Sequence, residues 1–203
     1  MSKSVNVAII GSGVVGSSYL SQLNNLKSNI AFNVIYLAKT SEEALYSKDY
    51  SPVDLSTYET APTQPTLSLD DLVKFIKGAK KPTVLVDNTS SPAIANYYPT
   101  FIKEGISIAT PNKKAFSSDL KEWKEILQTA ELPGAGLVYH ECTVGAALPI
   151  ISPLKDLIAT GDKVDKIEGI FSGTLSYIFN EFSKTEKSDV KFSDVVKKAK
   201  ELG

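Results

Sequence analysis

The chain has 203 residues, 42% hydrophobic and 22% charged, with a formal net charge of −1. This is the balance of an ordinary globular protein, and charge gives no reason to expect a nucleic acid or a membrane as partner. A single cysteine, Cys142, excludes an intrachain disulfide; all 22 basic residues are lysine, so no planar guanidinium fork is available to grip a carboxylate or phosphate.

Residues 5–10 read as a buried parallel strand, nearly all apolar. The strand runs into Gly11-Ser12-Gly13-Val14-Val15-Gly16, the G-x-G-x-x-G spacing of a dinucleotide-binding turn. Gly11 permits the tight turn, Gly13 admits a pyrophosphate close to the backbone, and Gly16 lets the following helix pack on the strand. That helix spans about 14–27, with Val15, Tyr19, Leu20, Leu23 and Leu26 at helical spacing. A second strand at 32–38 completes a βαβ unit. The N-terminus enters the first strand at once, which leaves no room for a signal peptide. No apolar run nears the ~20 residues that cross a bilayer, so a cytoplasmic protein is expected.

Residues 47–66, rich in Ser, Thr, Pro and Tyr, are expected to form a loop or a loose helix. Ser68 can cap a helix over 69–77 with Asp70 and Asp71 in its first turn. A third strand at 83–87 leads to a helix opened by Pro92 and running to about 103, with Gly105 after its end. A fourth strand at 106–109, a helix centred on Trp123 and a fifth strand at 136–139 follow. Strands alternating with helices indicate an α/β fold with a doubly wound parallel sheet. Past residue 145 the pattern changes. A helix over 146–159 is interrupted by Pro149 and Pro153, a longer strand is expected at 163–172, and an aromatic helix and a lysine-rich helix close the chain at Gly203.

Ligands of open α/β sheets bind at the carboxyl ends of the strands. The second strand ends in Lys39-Thr40-Ser41, without the acidic residue that usually bonds the ribose of NAD; these residues suit a 2′-phosphate, or form a solvated loop. The third ends in Asn88-Thr89-Ser90-Ser91, near the nicotinamide half of a dinucleotide or as a plain helix cap. The fourth ends in Pro111-Asn112-Lys113-Lys114, where a partly desolvated lysine would suit proton transfer, or where the pair is solvated surface charge. The fifth carries His140, Glu141 and Cys142. Glu141 with backbone carbonyls around Gly145 suits a hard cation. His140 reads as a packed core residue and Cys142 as a small buried apolar one.

Together the blocks at 11–16, 86–91, 109–115, 139–146 and 168–178 resemble the homoserine dehydrogenase family in its short fungal form, across essentially the whole chain. The resemblance implies a Rossmann-type dinucleotide-binding domain over 1–145. It implies the beginning of an α+β catalytic and dimerisation domain over 146–203. The implied reaction interconverts L-homoserine and L-aspartate 4-semialdehyde with NADP or NAD, in a homodimer whose subunit contact includes the strand at 163–172. Gly11, Gly13, Val14, Val15 and Gly16 would hold the cofactor pyrophosphate, and Lys39 its ribose phosphate. Thr89 and Ser90 would sit by the nicotinamide ribose. Lys113 would lie between cofactor and substrate as the catalytic lysine. Glu141, with the backbone carbonyls of Val144, Ala146 and Leu148, matches a sodium-like monovalent cation site. Gly173 and Thr174 would line the homoserine pocket. The family continues past the closing Lys-Glu-Leu-Gly with further substrate-binding carboxylates, so this chain is expected to be the N-terminal part of such an enzyme, weakly active by itself. The alternatives are a non-catalytic nucleotide-binding module and a related semialdehyde or imine reductase.

Overall fold

A computed structural model describes residues 3–146, 148–185 and 189–202. Contacts divide the chain into two units, Met1–Thr143 and Val144–Gly203.

The first unit is built on a seven-stranded sheet in the order β4-β3-β2-β1-β5-β6-β7. Its strands are β1 (Lys3–Ile10), β2 (Ile30–Ala38), β3 (Glu43–Tyr46), β4 (Gln64–Pro65), β5 (Thr83–Asp87), β6 (Ser107–Ala109) and β7 (Val138–Tyr139). The five strands β2-β1-β5-β6-β7 are parallel, and β3 and β4 extend the edge antiparallel. The apolar residues of β1 divide between two layers. Ala8 and Ile10 join a core with Tyr36, Leu85 and Ile108, while Val7 and Ile9 join another with Val34, Leu37 and Val86. The first core takes in α2 (Leu69–Gly78), α4 (Tyr98–Lys103) and α6 (Leu120–Ala130); the second takes in Leu20 of α1 (Val14–Asn25). This two-sided burial explains why β1 and β5 read as continuous apolar runs. The chain leaves β1 for β2 in one direction and returns to β5 on the other side of β1, so the strand order reverses between β1 and β5.

Local signals set the helix boundaries. The Ser68 hydroxyl accepts from Asp71 N and starts α2, and the Asp119 carboxylate accepts from Lys121 N and starts α6. The helix expected over 92–103 is two helices, α3 (Pro92–Ala95) and α4. Pro99 explains the break: it has no N–H, and its ring clashes with the carbonyl four residues back in a continuous helix. The segment 47–66, expected as a loop or a loose helix, follows β3 and contains near its end the short strand β4, which pairs antiparallel with β3. Thr40 Oγ1 accepts from Glu42 N and Glu43 N and folds the hairpin that connects β2 to β3. Pro65 is tolerated because β4 is an edge strand. A short helix α5 (Lys114–Ser117) follows β6.

The second unit contains, among the described residues, α7 (Ile151–Ala159), α8 (Gly173–Phe182) and α9 (Phe192–Leu202). The start expected for α7 at 146 is corrected to Ile151. Gly145 and Ala146 have φ of +65° and +53°, which no α-helix accommodates, and Pro153 falls in the first turn, where a missing N–H costs nothing. The strand expected at 163–172 does not form; residues 162–172 carry no regular structure and pair with no strand. Its apolar residues Val164, Ile167 and Ile170 recur every third position, not every second, and an extended segment without an edge to pair with cannot satisfy its backbone. The Ser172 hydroxyl caps α8 by accepting from Leu175 N. α8 and α9 pack through Ile178, Val195 and Ala199, with the Phe182 and Phe192 rings edge-on at 5.2 Å. Gly203, expected as a helix C-cap, and Ser188, expected near the start of the last helix, lie outside the described residues.

Candidate functional site

The carboxyl ends of β1 and β5 meet at the point where the strand order reverses. Gly11 N donates to Ala38 O at 2.9 Å, and Asn88 N donates to Ile10 O at 2.9 Å, so the glycine turn is tied to the ends of β2 and β5 together. Gly11 has φ +95°, and a Cβ there would lie 3.0 Å from Thr89 Cγ2. A Cβ on Gly16 would lie 2.1 Å from the Gly11 carbonyl oxygen, so only glycine allows α1 to start this close to the strand exit. Gly13 differs: a Cβ there meets no protein atom within 4 Å. No packing within the protein requires glycine at 13, whereas a ligand approaching the backbone would. Gly13 is also the N-cap of α1, and no side chain caps this helix. Its first-turn N–H groups and the positive end of the helix dipole therefore suit an anion. The turn thus fits a dinucleotide pyrophosphate on geometry as well as spacing.

Two grooves flank the turn. One, of about 440 Å³, is lined by Gly11, Tyr36, Lys39, Thr40, Leu67 and Thr89 among others. Lys39 is held at its rim, its Nζ donating to Glu59 O at 2.8 Å and its own carbonyl accepting from Ser12 Oγ. The carbonyl leaves the ammonium charge unneutralised. Tyr36 is fully buried and accepts from Leu67 N; burial pushes its phenol up to about 12, so it stays neutral. The other groove, of about 490 Å³, is lined by Val14, Val15, Asn88, Pro111, Glu141 and Cys142 among others. Val14 and Val15 are 88% and 52% exposed at the head of α1, an apolar surface on the groove wall. Cys142 is exposed, not the small buried residue expected, because it sits on the 3-10 turn Glu141–Thr143 after β7, beyond the covered part of the sheet. His140 is buried and stacks on Phe116 at 4.4 Å, as a packed core residue.

The loops after β5 and β6 are locked by buried polar residues that periodicity does not reveal. Asp87, fully buried, accepts from Thr89 N at 2.8 Å, Tyr98 Oη at 2.5 Å and Asn112 Nδ2 at 3.0 Å. Thr110 Oγ1 donates to Asp87 O at 2.8 Å and accepts from Asn112 N at 2.9 Å. Burial, then the adjacent Asp87 carboxylate, holds the Tyr98 hydroxyl well above the usual phenol range. One signal was available: Asp87 is the only charged residue of its strand, and buried charges are retained where they have partners.

Lys113 sits at the N-cap of α5 and is exposed, so the partial desolvation expected of it is not seen. Thr89 is half-buried and Ser90 exposed. Thr89 Oγ1 accepts from Ser91 N, and Ser91 Oγ caps α3 by accepting from Ile94 N. Gly11, Gly13, Val14, Val15, Gly16, Lys39, Thr89 and Ser90 are thus brought to the ends of β1, β2 and β5, with Lys113 just past β6. Glu141 belongs to the first unit. Val144, Ala146 and Leu148 belong to the second, where Leu148 N donates to Gly145 O. Gly173 and Thr174 open α8 of the second unit. Among the described residues no three His, Cys, Asp or Glu side chains cluster as metal ligands, and no helix is long and apolar enough to cross a membrane.

Comparison with known proteins gives a consistent picture. The family model for the homoserine dehydrogenase NAD-binding domain matches residues 11–140, and that for homoserine dehydrogenase matches residues 149–203. The chain is 59% identical over 205 residues to the homoserine dehydrogenase of Saccharomyces cerevisiae, covering 99% of this chain and 56% of that protein. It is 50% identical over 209 residues to that of Schizosaccharomyces pombe, covering 98% and 55%. A Candida auris protein of unknown function, solved by crystallography, superposes with a TM-score of 0.91 at 64% identity, over 100% of this chain and 56% of that one. A hyperthermophilic archaeal homoserine dehydrogenase in complex with NADPH shares the fold, with a TM-score of 0.77 at 23% identity over 98% of this chain and 61% of that one. The chain spans about half the length of the curated relatives it matches.

Proposed function

The chain belongs to the homoserine dehydrogenase family, and from that premise we propose that it is the cofactor-binding and part of the catalytic portion of an enzyme interconverting L-homoserine and L-aspartate 4-semialdehyde. The observation that carries the proposal is the glycine turn at the strand-order reversal, with Thr89 against Gly11 and the Lys113 loop at the next strand end. A nicotinamide dinucleotide, when bound, supplies the hydride acceptor or donor. The N–H groups of Val14, Val15 and Gly16 would hold its pyrophosphate. Lys39 and Thr40, with no carboxylate at the tip of β2, favour the 2′-phosphate of NADP. The apolar Val14 and Val15 would exclude water from the nicotinamide side, where Thr89 and Ser90 would meet the ribose. Lys113 would hold or move the proton of the reacting alcohol, and Gly173 and Thr174 would line the substrate pocket.

A sodium-like cation belongs to the same proposal: the Glu141 carboxylate and the backbone oxygens of Val144, Ala146 and Leu148 would be its hard oxygen donors. The homodimer expected from the family is part of the same proposal. A non-catalytic nucleotide module is not favoured, since the family match continues through 149–203. The test is a protein of the relatives' full length assayed for homoserine-dependent reduction of NADP. Lys113→Ala should lower turnover by about a hundredfold or more, the range for loss of a proton-transfer group, with NADPH affinity within about twofold. Unchanged turnover would refute the role given to Lys113.

A further inference from the structure

The β5–β6 ladder ends at Val86↔Ala109, so the two loops that follow it are not paired to each other through that ladder. Those loops carry Thr89 and Ser90 on one side and Lys113 on the other. What joins them is a set of side-chain bonds. Both hydrogens of the Asn112 amide are used across the gap, one to Asp87 Oδ2 at 3.0 Å and one to Ser91 O at 3.1 Å. Its oxygen accepts from Lys114 N at 3.1 Å, and its own N–H is held by Thr110 Oγ1. Positions 110, 112 and 114 are therefore pinned, and Lys113 lies between pinned neighbours. On the other loop Asp87 Oδ1 pins Thr89 N, and Thr89 Oγ1 pins Ser91 N. No lysine pairs with Asp87 among the described residues, so its carboxylate is held by neutral donors alone.

We propose that Asp87 and Asn112 are a positioning pair: they hold the Thr89–Ser91 loop and the Lys113 loop as one body, which sets the nicotinamide side of the site and leaves the adenine side independent. This rests on the cofactor reading given above. Tyr98 donates to the same carboxylate and lies against Thr110 Oγ1 at 3.0 Å but bonds to no atom of 89–91, so it separates the joining of the loops from support of the carboxylate. A hydrogen bond to a buried carboxylate is worth about tenfold in an equilibrium.

Two measurements test the pair. The first is amide hydrogen exchange on the ligand-free chain. Asp87→Asn and Asn112→Ala should speed exchange about tenfold at 89–91 and 112–114 together, with 14–25 and 30–38 unchanged, whereas Tyr98→Phe should spare 89–91. The second compares affinity for NADPH with affinity for 2′-phospho-ADP-ribose, which lacks nicotinamide. The two positioning variants should bind NADPH about tenfold more weakly and the half-ligand within about twofold of the parent chain. Unaltered loop exchange, exchange that rises equally throughout the domain, or equal weakening of both ligands would overturn the proposal. A parent chain that bound neither nucleotide would instead overturn the cofactor reading, while the exchange data would still decide whether Asp87 and Asn112 join the loops.

Discussion

The two units spend their apolar residues differently. The first buries Tyr36, Tyr98, Phe101, Ile9 and Leu85 completely, on both faces of one sheet. The second buries Ile178, Val195 and Ala199 among its described residues and leaves Ile170 81%, Leu175 52% and Phe179 55% exposed. Burial on this scale stabilises a fold by roughly 25 cal/mol per Å² of apolar surface, so the first unit carries most of the stability. The contrast also separates the two halves of the proposed function. The groups fitted to the dinucleotide stand on the well-packed unit, and the residues assigned to the substrate stand on the sparse one.

Core truncation should break this contrast most strongly. Phe101→Ala removes a fully buried ring and should cost about 3–5 kcal/mol, read from urea denaturation of the chain. Phe179→Ala, at an exposed site, should stay within about 0.5 kcal/mol. Comparable costs would mean that the second unit is packed as tightly as the first.

The glycine turn gives the next effect in size. Gly16→Ala forces a Cβ against the Gly11 carbonyl and should lower stability by about 1–3 kcal/mol and weaken NADPH binding with it. Gly13→Ala meets no protein atom and should leave stability within about 0.5 kcal/mol, yet weaken NADPH binding about tenfold. A Gly13 variant that binds normally would remove the pyrophosphate from this turn.

The smallest effect is electrostatic. Hydrogen bonds from the Ser47 hydroxyl, then Ser51, hold the Asp49 carboxyl at about 2, below the ordinary carboxylate value near 3.9. A depressed native value stabilises the fold above the unfolded-state value, and that contribution is lost as pH falls through the native one. Stability of the parent chain relative to Asp49→Asn should therefore be constant from pH 7 to about 5 and fall away between about pH 4 and 2. A difference that persisted at pH 2 would contradict it.

Much of the first unit could be read from its residues. Val7 to Ile10 is apolar because both sheet faces are covered, and the spacing of Gly11, Gly13 and Gly16 marks the turn. Two kinds of feature escaped. The bonds that Asp87 receives from Tyr98 and Asn112 join residues 11 and 25 positions apart, which leaves no periodic trace. Edge structure also escaped, since β3 and β4 are too short to alternate visibly and Pro65 argues against a strand. In the second unit the apolar residues at 164, 167 and 170 suggested a strand, but a strand forms only where another edge can pair with it.

The first unit should bind a dinucleotide as a self-contained domain. Calorimetric titration with NADPH of residues 1–143 alone, beside the 203-residue chain, tests it most directly. The two should unfold cooperatively and bind with affinities within about twofold of each other, since the fitted groups lie within 11–114. Loss of folding, or loss of NADPH binding, on removal of residues 144–203 would contradict it.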